Sequence, residues 1–142
     1  MTPEQLAMVR RTAVDMERAG DEFGRRFYDH LFEIHPSARG LFPDDLEPQR
    51  VRLVDEILLL ATMVGDLPAF LERARELGGR HQRDGVHSAD YPYVGEALVT
   101  AVAGIIGACW SAQAESAWRR MYCLICEAML EGAARGLFLG PR

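Results

Sequence analysis

Few residues in this 142-residue chain combine a chemically able side chain with a position that would put it to use, and His81 is the first of them. In "ELGGRHQRDGV", residues 76–86, it stands at the end of an amphipathic run. At about 100° per residue, Leu67, Phe70, Ala74, Leu77 and His81 fall in one narrow arc, with Glu72, Arg73, Arg75 and Glu76 outside it. An imidazole on an apolar face needs a partner for each nitrogen or carries a desolvation cost. Two explanations fit this pattern: a satisfied core histidine, the commoner case, and a metal ligand. Gln49 is the second candidate. It opens a face continued by Leu53, Ile57, Leu60 and Val64, where an amide could meet a ligand or end in solvent, with nothing to choose between them. Tyr28 is the third, one turn after Gly24. A glycine inside a helix costs about 1 kcal/mol relative to alanine, which predicts a close helix contact there, and Tyr28 could do no more than pack beside it. Cys123 and Cys126 form a C-x-x-C spacing, open to redox chemistry or half a zinc site. There is no second pair, and "WRRMYCLICEAMLEG" reads as mid-helix, which predicts two buried thiols.

The elements that must position these groups are helices. Apolar periodicity is helical along nearly the whole chain and no strand-type alternation stands out, so the chain is expected to be all-α. Thr2-Pro3-Glu4-Gln5 is a capped start for a helix running to about Arg18 and stopping at Gly20. A second follows from Asp21 until His35-Pro36 breaks it. After a short turn ending in "GLF" and the polar "PDDLEP", a long helix is predicted from about Pro48 to Val64. "GDLP" starts the next, to about Arg83; "ADYP" starts another, to Trp110; the last runs from about Ser111 to Gly136. The long helix also carries Val54, Leu58 and Ala61 on a second side, so it is expected to lie between two layers, or between a core and a bound apolar object.

The composition narrows the function. A chain of this length with 49% hydrophobic residues suits one domain, 1–142, with a sizeable core. A net charge of −5 with no run of Lys or Arg leaves no footprint for nucleic acid, and makes anionic membranes poor partners. The N-terminus lacks the apolar core of a signal peptide, so a cytoplasmic location is expected. Residues 97–114 carry no charge and approach the length of a membrane span, but Thr100, Gly104, Gly107, Ser111 and Gln113 point instead to a buried helix. Three cysteines argue against a disulfide framework.

The stretches "FYDHLFEIHPSARGLF", "LGGRHQRDGVHSADYPYVGEAL" and "AWRRMY", in this order and spacing, resemble the globin family, specifically bacterial single-domain globins and the haem domains of flavohaemoglobins. The resemblance covers essentially the whole chain. It implies a globin fold packed around haem b, with His81 as the proximal iron ligand. Tyr28 and Gln49 match distal positions, Leu53 lies one turn deeper, and Phe42 matches the phenylalanine that packs on the macrocycle. Arg52 and Arg80 fall where bases meet haem propionates; Leu77, Val86, Tyr91 and Val94 match positions lining the proximal side. An imidazole on iron has one nitrogen satisfied by the metal, and the other can donate to a backbone carbonyl or a supporting group. His30, His35 and His87 then read as surface or supporting residues.

Two departures from the family pattern matter. Ala133 stands where flavohaemoglobin-type domains carry a proximal glutamate, and Glu131, roughly 200° away around the helix, cannot replace it. Arg50 stands where globins usually place a small residue opposite Gly24, and the short "PDDLEP" loop could shift the register of Gln49 by a residue. The resemblance implies reversible binding of O2, with NO or CO as further ligands, for transport, storage or buffering. It also implies an enzymatic alternative, nitric oxide dioxygenation supported by a separate reductase, and a third, a gas or redox sensor. A monomer or weak homodimer is expected.

Overall fold

The computed structural model describes residues 1–138 and places them in six α-helices joined by short turns. Helix α1, Pro3–Ala19, starts on a reciprocal cap: the Thr2 hydroxyl accepts from the Gln5 N–H at 3.1 Å, and the Gln5 amide oxygen accepts from the Thr2 N–H at 2.9 Å. Gly20, at φ +54°, turns the chain directly into α2, Asp21–Ile34. A 3₁₀ turn at Pro36–Leu41 leads to α3, Glu47–Met63, and Asp66 caps α4, Leu67–Arg83. Helix α5, Tyr91–Ile106, stops short of the expected Trp110 because Gly107 takes φ +68° and opens a 3₁₀ turn. Helix α6 spans Ala112–Phe138.

Helix α6 packs along α4, and α2 along α5, with α1 and α3 closing the sides. Phe23, Phe70, Trp118, Met16 and Leu98 are fully buried at the centre. Trp118 donates its indole N–H to the Thr12 hydroxyl at 2.8 Å, and Thr12 reaches the carbonyls of Met8 and Val9, so this polar pair is satisfied inside the core. Helices α4 and α6 approach through two glycines. A Cβ on Gly78 would overlap the Met129 carbonyl, and one on Gly132 the Arg75 carbonyl. The contact predicted at Gly24 is present: a Cβ there would stand 3.0 Å from that of Arg50, whose guanidinium swings out to Asp21 at 2.9 Å.

Only the first part of the uncharged stretch is core: Ala97, Leu98, Val99, Ala101 and Val102 are buried, while residues 103–113 are half-buried or exposed. The second side of α3 is also real: Leu58 and Ala61 border α1, across from Ala13 and Val14. Two expectations need correction. Leu67, assigned to the apolar arc, is 48% exposed, because as the first residue of α4 it overhangs the end of the core. Neither thiol of the C-x-x-C pair is fully buried: Cys126 is half-buried, and Cys123 is exposed because α6 turns Tyr122 and Ile125 inward; Cys109, Cys123 and Cys126 are all free thiols.

Candidate functional site

A cavity of about 650 Å³ opens between these helices, a volume suited to a cofactor-sized molecule. One wall comes from α2, the following turn and α3, and brings together Tyr28, Phe42, Gln49, Arg52 and Leu53. The other comes from α4 and the chain beyond it, and brings Leu77, Arg80, His81, Val86, Tyr91 and Val94. All eleven residues singled out from the sequence therefore line one space.

His81 sits in the last turn of α4, one turn beyond the glycine that seats this helix on α6. Its carbonyl accepts from the N–H groups of Asp84 at 3.1 Å and Val86 at 2.9 Å, and Gly85, at φ +89°, folds the chain back so that Val86 reaches the same wall. The ring nitrogen Nδ1 is buried without a hydrogen-bond partner. The expectation that this nitrogen meets an acceptor is not met. Burial, assisted by the neighbouring Arg80 charge, pushes the imidazole below its usual pKa and keeps it neutral, with a lone pair to give. With Nδ1 sealed off, Nε2 is the ring nitrogen left to meet the cavity that His81 lines. Among the described residues no cluster of three or more His, Cys, Asp or Glu could hold a metal ion.

On the other wall Tyr28 is 4% exposed, packed edge-to-face with Phe27 at 4.9 Å and with Phe42 at 5.3 Å between ring centroids. Burial pushes its phenol up to about 12, against the pull of the nearby Gln49 amide and Arg52 charge. Gln49 lines the same cavity. Its oxygen Oε1 accepts from Arg52 Nη2 at 2.8 Å. The lining fits a large apolar cofactor: the His81 imidazole on one wall would hold its metal, with Tyr28 and Gln49 as polar groups on the other and apolar side chains between them.

Charged groups gather at the rim. Glu56 takes two hydrogen bonds from Arg73, at 2.7 and 2.9 Å, and one from Arg80 at 3.3 Å. His35 pairs through Nε2 with Asp90 at 2.8 Å and stacks on Tyr93 at 4.1 Å. Both residues of the pair line the cavity, so His35 has more than a surface position.

Sequence reasoning missed the floor supplied by α6. Tyr122, Ile125 and Met129 line the cavity, and the Tyr122 hydroxyl donates to the Tyr91 carbonyl at 2.8 Å. Their spacing is helical and was visible. Met121 and Ala128 follow the same period into the core, so periodicity alone could not separate the two faces.

Comparison with known proteins gives one family: the globin model matches residues 25–129. The flavohemoprotein of Deinococcus radiodurans is 28% identical over 97% of this chain, which corresponds to 35% of that protein; the chain spans about a third of the length of the curated relatives it matches. A bacterial globin from Campylobacter jejuni superimposes with a TM-score of 0.82 at 20% identity, covering 96% of this chain and 99% of that one. An engineered carbene transferase, built on a candidate nitric oxide dioxygenase of Rhodothermus marinus, gives 0.86 at 22% identity, covering 98% and 97%. At these identities the two structures establish the shared fold.

Proposed function

Because the chain belongs to the globin family and its cofactor is haem, we propose that it binds O2 reversibly, with His81 as the residue that would hold the iron and Tyr28 and Gln49 as donors to the bound gas. The observation that carries this reading is the pairing, within one cavity, of a neutral imidazole on one wall with two hydrogen-bond donors on the other. Bound haem supplies the iron that takes the diatomic ligand. His81 Nε2 would hold the cofactor from the α4 side, while Phe42, Leu53, Leu77, Val86 and Val94 would exclude water around it. Arg80 at the rim is placed to exchange its partner Glu56 for a propionate. The Tyr28 phenol and the Gln49 amide favour a ligand that accumulates negative charge, O2, over CO, which polarises less.

A second reading, nitric oxide dioxygenation, is supported by the flavohemoprotein relatives. NO, O2 and one electron give nitrate, so sustained turnover needs an electron donor. The same two donors would serve it. Two features favour simple ligand binding over chemistry that cleaves the O–O bond. Nδ1 of His81 lacks the acceptor that would raise the basicity of the ring, and Ala133 supplies no carboxylate.

The test is the optical spectrum of the purified protein, ferric, reduced and exposed to O2, beside His81→Gly with and without added imidazole. We expect a stable oxygenated spectrum in the wild type, lost in the variant and restored by imidazole. A variant whose spectra match the wild type without imidazole would overturn His81 as the ligand. In stopped-flow measurements, Tyr28→Phe should speed O2 release roughly tenfold to a hundredfold, the loss of one charge-assisted hydrogen bond. An unchanged rate would remove Tyr28 from the site.

A further inference from the structure

A glutamine side chain is nearly symmetric in shape and opposite in chemistry at its two ends. Whether Gln49 offers the cavity an NH2 donor or an oxygen acceptor is therefore decided by whatever holds its other end. Here that is Arg52, one turn along α3, whose Nη2 lies 2.8 Å from Gln49 Oε1. A guanidinium has five donors, no acceptor, and keeps its charge at any physiological pH. It can bind the oxygen of the amide and cannot bind the nitrogen.

We propose that Arg52 is a positioning residue that locks the Gln49 amide with its NH2 toward the cavity, and thereby sets the polarity of both distal donors. The proposal rests on the O2-binding reading above. It extends to Tyr28, which lines the same wall with the Gln49 side chain within hydrogen-bonding reach of its phenol. An NH2 presented to the phenol oxygen leaves the phenol O–H free for a ligand. A flipped amide would instead accept that O–H and withdraw it. One arginine outside the cavity's apolar lining thus decides whether the pocket holds two donors or fewer. This differs from the propionate role that the resemblance implies for Arg52, which would act on the cofactor directly and independently of Gln49.

The experiment is a double-mutant cycle on O2 dissociation in the haem-loaded protein, with the C–O stretching frequency of the CO complex as a second readout of the field at the ligand. Arg52→Met frees the amide and should speed O2 release roughly threefold to tenfold. Arg52→Lys keeps a donor for Oε1 and should stay near wild type. Arg52→Glu accepts from the NH2, turns the oxygen inward, and should exceed Arg52→Met. In the Gln49→Leu background all three should lose their effect on both readouts, because there is no amide left to orient.

Effects of Arg52→Met and Arg52→Glu that persist in the Gln49→Leu background would overturn the proposal and return Arg52 to a direct role. So would a faster release in Gln49→Leu with none in Arg52→Met or Arg52→Glu, which would leave the distal-donor reading standing. An unchanged rate in Gln49→Leu itself would overturn that reading, and the arginine's role with it.

Discussion

Burial among Phe27, Phe42 and the α3 wall holds the proton on Tyr28 until about pH 12, so across the neutral range this phenol is a donor of constant strength. In the unfolded chain the same group titrates near its ordinary value of 10.0. The folded state binds this proton more tightly, and the stability that follows is present in full below pH 10.0 and is lost as the pH rises to about 12. Relative to Tyr28→Phe, the wild type should lose about 3 kcal/mol over that interval, read from urea unfolding at a series of alkaline pH values. A parallel pH dependence in the two proteins would place the phenol in solvent. At this scale the sequence was informative for identity and silent on partnership. His81, Tyr28 and Gln49 were legible from their places on apolar faces. That Arg52 holds Gln49, or that His81 Nδ1 lacks an acceptor, depends on rotamers that no spacing encodes.

The helices were legible to within a few residues because their ends carry local chemistry: the reciprocal cap at Thr2, the proline after His35, Asp66 before α4. Where the end depended on a glycine inside an apolar run, as at Gly107, the reading overshot to Trp110. The seating of α4 on α6 was missed for a related reason. "LGG" in mid-helix was visible, but Gly132 lies more than fifty residues on, and only the pairing shows that both glycines mark one crossing. Adjacent glycines give an internal control. Gly78→Ala drives a methyl group into the Met129 backbone, which cannot yield as a side chain would, and should destabilise the fold by about 1–3 kcal/mol. Gly79→Ala meets nothing closer than 3.7 Å and should stabilise it by up to about 1 kcal/mol through helix propensity. Thermal unfolding of the two variants reads the difference. Equal effects would mean that α4 does not sit on α6 through this face.

The cavity belongs to no single element, and its closure at the mouth depends on residues far apart in the chain. His35 ends α2 and Asp90 precedes α5, yet they pair at 2.8 Å, while the second carboxylate oxygen of Asp90 accepts from the His87 N–H at 2.8 Å. This clasp joins the element that carries Tyr28 to the loop that follows His81, so it resists separation of the two walls. Burial alone would raise the Asp90 carboxyl, but the bonds from His35 and from the His87 backbone outweigh it and hold the group below its ordinary 3.8. The clasp therefore contributes its full stability above pH 3.8, where the carboxylate is ionised in the folded and unfolded chain alike. As the pH falls further, the unfolded chain takes up the proton first and the contribution drains away. Asp90→Asn should be less stable than the wild type by about 1 kcal/mol near neutrality, with the gap closing on acidification below about pH 4. A gap that stays constant into that acid range would assign the loss to something other than the carboxylate charge.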